Sequence, residues 1–276
     1  MERHRITASM PLVAVKGAGD LATGVIHRLV RSGFPVIATE LPQPTVLRRT
    51  VAFAEAVPLG QTTVEGITAQ RVTSAQTIQA ILTRHEVPVL VDPDGTLLRE
   101  VQPYVLIEAT LAKRNSGLSI ADAPIVIALG PGYEVGRDAH AVVETNRGHN
   151  LGRVYLQGTA EPDTGIPGTI DGYSHERLLR APCAGTLYSK REIGSTIQAG
   201  ETVALVTANE SSMPINATIS GVVRGLIRDG LTVHTGMKVG DIDPRAIRAH
   251  CFTISDKARA VAGGVLEAVL YFLRNR

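Results

Sequence analysis

The stretch "VAVKGAGDLATGVIHRLVRSGFPVIATE" (residues 13–40) constrains the fold more than any other part of the chain. Leu12–Val15 is a short apolar run of the kind that forms a buried strand, and it ends in a glycine turn. After the turn, Leu21, Ala22, Val25, Ile26, Leu29 and Val30 fall on one helical stripe. Gly33 offers the left-handed stop that a helix end favours, and "PVIAT" starts a second strand. Strand, helix and strand within ~30 residues make a βαβ unit, which requires a parallel sheet with a crossover helix.

Further apolar runs follow at "VPVLVD" (87–92), "YVLIEA" (104–109) and "PIVIALG" (124–130). Between them, "TVLRRTVAFAEAV" and "SAQTIQAILTRH" show helical periodicity, with Ser74 placed to cap the second. "TTVEGITAQRV" predicts a hairpin turning at Glu65–Gly66. Continuous apolar strands alternating with helices indicate a parallel sheet covered on both faces. The expectation is a Rossmann-like α/β domain over residues 11–132.

The glycine turn, Gly17-Ala18-Gly19-Asp20-Leu21-Ala22, fits G-x-G-x-x-A. The first glycine permits the tight turn, the second lets a phosphate approach the backbone, and the small third residue lets helix and strand pack closely. Free amides at the helix start favour an anion. Glu40, closing the second strand, stands where an acid hydrogen-bonds a ribose 2′-hydroxyl. Gly17, Gly19, Asp20, Ala22 and Glu40 are therefore the expected nucleotide-binding set. The plainer alternative is that the glycines only close a βα turn and Glu40 is a solvated strand end. The turn indicates architecture and suggests a ligand, but it names no reaction.

Residues 133–177 read as a polar hairpin and a Gly/Pro-rich connector: His140–Thr145 and Arg153–Gln157 alternate like strands around "NRGHNLG". Ligands on open α/β sheets bind beyond the carboxyl ends of the strands. At that edge Lys113 and Arg114, in "ATLAKRNSG", join Arg147, His149 and Arg153 as an expected anion-binding set. A plain exposed hairpin competes with that reading. His140, Glu144 and His149 could ligate a metal, yet no HExxH-type spacing occurs, and no metal site is expected. No G-x-S-x-G elbow and no G-x-x-x-x-G-K-[ST] loop is present.

From Leu178 short strands replace helical periodicity, and the sequence repeats itself. Gly185, Gly194 and Gly200 recur as Gly221, Gly230 and Gly236, each at an offset of 36 residues. Two copies suggest two interlocking halves of a small β-module over residues 178–241. Its pattern resembles the biotinyl/lipoyl-type barrel-sandwich hybrid, whose carriers present a modified lysine on a hairpin between the halves. The matching turn here is "TANESSMP" (207–214), and no lysine occurs from Arg191 to Met237, which excludes a swinging arm. Residues 244–276 read as a mostly helical end, with Ser255 as N-cap. Its stripe of Val261, Val265, Leu266, Val269, Leu270 and Leu273 must cover either the sheet or a second subunit, which leaves a homo-oligomer open.

The formal charge of the 276 residues is only +2, which argues against binding nucleic acid or anionic membrane through bulk charge. Cys183 and Cys251 are too few for a disulfide framework and read as reduced core thiols. "MERHRITASMPLV" has no apolar leader core and "VAGGVLEAVLYFLRNR" is too short and too interrupted to span a bilayer, so a cytoplasmic location is expected.

Six segments together carry a resemblance: "GAGDLATGVIHRLVRSGFPV", "PTVLRRTVAFAEAV", "LAKRNSG", "APIVIALGPGYEVGRDAHAVVETNRGHNLGRV", "EPDTGIPG" and "KVGDIDPR". The chain resembles the YqeB-type accessory proteins of selenium-dependent molybdenum hydroxylase systems. The resemblance implies a role in maturing a partner hydroxylase of the xanthine dehydrogenase type, through a bound molybdopterin dinucleotide or a selenium donor. It carries over no catalytic residues. Two alternatives stand beside it: an NAD-dependent oxidoreductase, from G-x-G-x-x-A plus Glu40, and a non-catalytic protein that docks on the hydroxylase through residues 178–241.

Overall fold

Residues 10–115, 117–209 and 211–275 are described in the computed structural model. The expectation of no leader peptide falls on Met1–Ser9, and Glu210 in the 207–214 turn is likewise outside the described residues.

The apolar runs become a nine-stranded sheet made of β1 (Val13–Lys16), β2 (Val36–Glu40), β3 (Gln61–Val64), β4 (Ile67–Val72), β5 (Val87–Val91), β6 (Val105–Glu108), β7 (Ile125–Leu129), β8 (Ala141–Val143) and β9 (Val154–Tyr155). Their order across the sheet is β3-β4-β5-β2-β1-β6-β7-β8-β9. From β4 to β8 neighbours are parallel, and β3 and β9 are antiparallel edges. The sheet is therefore mixed, and it runs past residue 132, because β8 pairs with β7 as well as with β9. The chain steps outward from β1 to β2 and later returns on its other side as β6, so a crevice opens beyond the carboxyl ends of β1 and β6.

Both faces are covered. On one face α1 (Asp20–Arg31) and the C-terminal helix pack together, with Val25, Ile26 and Val265 fully buried. On the other, α3 (Ile78–Leu82) and α4 (Thr96–Val101) close over Leu90, Leu106 and Val126. The β3–β4 hairpin turns at Glu65 (φ 44°) and Gly66 (φ 83°), the paired left-handed conformations that a two-residue turn requires.

Two helices expected from periodicity are much shorter than their patterns. "TVLRRTVAFAEAV" forms two 3₁₀ turns, Arg49–Val51 and Phe53–Glu55, and the single turn α2 (Ala56–Leu59). Val51 to Val57 are buried all round, and the amides of Phe53 and Ala54 donate to Thr23 Oγ1 and to the Ala18 carbonyl instead of along a helix. In "SAQTIQAILTRH" only Ala75–Thr77 and α3 are helical, and the Ser74 side chain caps nothing.

The C-terminal helix, α5 (Asp256–Arg274), starts as expected: Ser255 Oγ accepts from the Ala258 amide at 3.1 Å. It covers the sheet of its own chain. A Cβ on Gly24 of α1 would lie 2.8 Å from Ala258 Cβ, and one on Gly264 would lie 2.1 Å from the Gly152 carbonyl oxygen. Among the described residues no helix is long and apolar enough to cross a membrane.

The second half holds β10 (Leu178–Arg180), β11 (Gly185–Ser189), β12 (Thr196–Ile197), β13 (Thr202–Ala208), β14 (Ser211–Asn216), β15 (Gly221–Leu226), β16 (Thr232–Val233) and β17 (Lys238–Asp243). They form two four-stranded sheets, β10-β17-β15-β12 and β14-β13-β11-β16. The starts of β11, β12 and β13 recur 36 residues later as the starts of β15, β16 and β17, and each sheet draws strands from both halves. Cys251 is buried under this module, and its thiol is pushed up by burial.

A short segment seats the module on the sheet domain. The Leu226 amide donates to the Leu47 carbonyl at 2.8 Å, and Arg49 Nε donates to the Leu226 carbonyl at 2.8 Å. Gly225 favours this close approach, because a Cβ would meet the Leu47 backbone at a tight 3.2 Å. Between these contacts, the Arg48 guanidinium donates to the carbonyls of His250 (2.9 Å) and Thr253 (3.0 Å).

The glycines of α5 give a paired test. Gly264→Ala must force α5 off the Gly152 loop and is expected to cost roughly 1–3 kcal/mol. Gly263→Ala, whose Cβ meets nothing within 4 Å, is expected to stabilise by about 0.5–1 kcal/mol. Urea unfolding midpoints of the two variants check both signs.

Candidate functional site

The glycine turn sits at the β1–β6 crevice. Gly17 has φ 93°, and a Cβ there would press on Ala109 and Thr110 at 3.3 Å, so both conformation and space require glycine. Its amide donates to the Thr39 carbonyl at 2.9 Å. Ala22 is buried behind the turn, while Gly19, Asp20 and the largely buried Leu21 line open space.

Glu40 is not open to a ribose. Its carboxylate accepts from the Ala18 amide at 3.0 Å and from the Leu41 amide at 2.8 Å. Burial pushes its pKa up, against the opposing effect of those two amides. The acid thus bonds inward to the glycine turn.

Gly19 and Asp20 open onto a cleft of about 570 Å³, within the size range of small-molecule sites. Its walls are the turn, the 161–168 loop, the start of α5 and the open side of the β-module. Eight cationic side chains line it against four carboxylates (Asp20, Glu161, Asp163 and Asp241). Several of the cations are committed within the protein: Lys113 to Asp163 at 3.1 Å, Arg147 to Asp256 at 2.8 and 3.1 Å, and Arg177 to Asp241 at 2.7 Å. Arg48 holds its two carbonyls and approaches Asp20 at 3.4 Å.

The others are less satisfied. Arg224 is only 6% exposed, and its nearest carboxylate, Asp243, is 3.7 Å away. Asp243 is already gripped by Arg245 at 2.6 and 2.9 Å. The Nε atoms of Arg48, Arg177 and Arg224 are buried without a hydrogen-bond partner. Lys238 and Lys257 form no ion pair within the described residues, and the surrounding protein pushes both ammonium groups down in pKa, although Lys238 still reaches solvent. Burial pushes the Asp241 carboxyl up, against Arg177, Lys238 and Arg224.

Of the residues expected from sequence, the cleft brings together Gly19, Asp20, Lys113 and Arg147. Arg114, His149 and Arg153 lie outside its lining: His149 is exposed, and Arg153 stacks over the Tyr155 ring at 5.6 Å. Arg48, Arg177, Arg180, Arg224, Lys238 and Lys257 also line it and belong to neither expected set. The available signal was an arginine inside the apolar strand "GVVRGLI" and the charged pair that brackets "KVGD".

The other polar candidates have structural duties. His140 Nδ1 accepts from the Val126 amide at 3.0 Å. Glu144 is fully buried and accepts from the amides of Thr145, Asn146 and Glu161 at 2.7–2.8 Å. Among the described residues no group of three or more His, Cys, Asp or Glu could hold a metal. A wider depression of about 1100 Å³ opens on the α3–α4 side, but Asp92 there caps α4 through the amides of Leu97 and Leu98, and Lys16 pairs with buried Glu108 at 3.0 Å.

Compared with known proteins, the chain is 48% identical over 262 residues, 95% of its length, to the uncharacterized protein YqeB of Escherichia coli (strain K12). It spans about half of that protein, 48% of its length. Residues 177–242 match the biotin/lipoyl family described as "Biotin-requiring enzyme", which fits the two interlocked sheets of the β-module. Among solved structures, the product-bound ectoine utilization protein EutE (DoeB) from Ruegeria pomeroyi aligns at 11% identity with a TM-score of 0.28, over 85% of both chains. An aspartoacylase family protein from Mesorhizobium loti aligns at 10% identity and a TM-score of 0.29, covering 85% of this chain and 84% of that one.

The depressed lysines set a sign for pH dependence. Between their lowered folded values and the ordinary value of about 10.4, the unfolded chain binds more protons, so these groups make stability rise with pH. Tyr133, Tyr155 and Cys251 are shifted up and oppose this, so the comparison must be with wild type. Lys238→Met and Lys257→Met are expected to be as stable as wild type or more so at pH 7, with the difference shrinking toward pH 10. Urea midpoints at the two pH values measure it.

Proposed function

We propose that the chain binds an anionic, nucleotide-type cofactor in this cleft and serves as a cytoplasmic accessory protein in the maturation of a molybdenum hydroxylase of the xanthine dehydrogenase type. The single observation that carries the ligand reading is the opening of the Gly19–Asp20 turn onto a cleft with twice as many cations as carboxylates. In this reading the nine-stranded sheet is a Rossmann-like platform, with β5-β2-β1 on one side of the crevice and β6-β7-β8 on the other. The hydroxylase partner rests on the relationship to YqeB-type proteins and not on the geometry.

The residues fit such a group. Partnerless Nε atoms on Arg48, Arg177 and Arg224 and unpaired ammonium groups on Lys238 and Lys257 are donors suited to phosphate oxygens. A molybdopterin dinucleotide supplies a diphosphate link, and a selenium donor such as selenophosphate supplies a single phosphoryl group. NAD bound through its ribose has less support, because Glu40 is engaged by the Ala18 and Leu41 amides.

The test is ligand-induced stabilisation of the purified chain. CMP, CDP, selenophosphate and NAD are each added at 1 mM. A cytidine nucleotide or selenophosphate bound at about one hundredth of its concentration as Kd adds about 2.7 kcal/mol and raises Tm by several degrees. A flat response to all four sinks the ligand reading, and a rise with NAD alone replaces it with the oxidoreductase.

A further inference from the structure

The β-module looks like a carrier fold without its carrier lysine, yet its open side is the most cationic wall of the cleft. On β15 the pairing with β17 slips between Val223 and Gly225, leaving Arg224 as the extra residue of a bulge. A bulge re-aims a side chain out of the strand's alternation. Here it sends an arginine toward the cleft from a strand whose six residues are all buried. The seat contact fixes the bulge, because Gly225 lies against Leu47 and the Leu226 amide bonds to the Leu47 carbonyl.

That arginine is under-satisfied in a way that native proteins rarely leave unanswered. Its Nε is buried without a partner, and the carboxylate within ion-pair distance, Asp243, is 3.7 Å away and already held bidentately by Arg245, while Asp241, also in its field, is bonded to Arg177. Arg177, on the same wall, also has a buried partnerless Nε, although its other nitrogens reach Asp241 and the Gly168 carbonyl. Lys238 and Lys257 bring two more charges, both within the electrostatic reach of Asp20 at the glycine turn. Donors converging from a strand bulge, a strand start and a helix start match a tetrahedral oxyanion better than a planar carboxylate, which offers two oxygens in one plane.

We infer that Arg224, Arg177 and Lys238 on the β-module, with Lys257 at the start of α5, form a phosphoryl-binding subsite, so that the ligand is a polyanion bridging this wall and the glycine turn. The subsite deepens the nucleotide reading and rests on it only for the identity of the rest of the ligand. The module's function in this chain is to grip a phosphorylated ligand, in place of carrying one covalently.

Isothermal titration with inorganic pyrophosphate and with CMP tests the subsite on wild type, Arg224→Gln and Lys238→Gln. Wild type is expected to bind pyrophosphate, and each variant to bind it about tenfold more weakly, the loss typical of a charged hydrogen bond. Thermal unfolding of the unliganded variants provides the control for folding. Arg224→Gln is expected to keep its Tm within a few degrees of wild type, since it removes a poorly paired buried charge. Lys238, which reaches solvent, gives a second variant that does not depend on repacking. No pyrophosphate binding by wild type, or equal binding by both variants, overturns the subsite. CMP binding that survives in either case leaves the nucleotide reading standing without it. Pyrophosphate binding lost in the variants, with no nucleotide bound by any protein, keeps the subsite and removes the nucleotide.

Discussion

Arg48 and its neighbours hold the two halves of this molecule in one geometry. The segment runs from the sheet domain, lends the Leu47 carbonyl and the Arg49 side chain to the β15 backbone, and sends the Arg48 guanidinium into the chain that leads to α5. Charged hydrogen bonds to backbone carbonyls in a buried setting are strong and directional. Thr50 adds a bond to the Cys251 carbonyl, and Glu55 pairs with Arg228 on the module. The cleft is the gap that remains once these contacts have set the module beside the glycine turn.

The cost of that gap is visible in its walls. Partnerless guanidinium nitrogens, depressed lysines and an Asp241 carboxyl shifted upward are unfavourable in the free protein. Glu144, outside the cleft lining, shows the contrast: its buried carboxylate accepts three backbone amides. Three arginines with a buried, partnerless Nε, namely Arg48, Arg177 and Arg224, line this one concavity, and perturbed charged groups gathered in a cleft mark a candidate binding site.

Much of this architecture could be read from the amino-acid sequence. Apolar runs located β1, β2, β5, β6 and β7 to within a residue or two, because strands buried on both faces leave few ways to be anything else. The 36-residue repeat marked the interlocked halves of the module, since each recurring glycine meets the same need at a turn or a close approach. Residues 45–57 depart from their helical pattern because their apolar residues answer to partners from far along the chain, whose oxygens capture amides that a helix would use. The coarse place of the site was legible in Gly17–Asp20. Its opposite wall was not, because Arg177, Arg224 and Lys238 are spread over short strands with no local motif, and only the seating of the module gathers them.

The bonds that seat the module join residues 177 to 205 positions apart. Closing such loops brings a large entropy loss before any contact compensates for it. The glycine turn can form early, within its own βαβ unit, but the cleft needs Ser255 and Lys257 as well as the module. During synthesis it therefore stays open until α5 has left the ribosome. A ligand that bridges the turn and the module meets a complete site only once α5 has been made, so products truncated before α5 have the turn but not the grip.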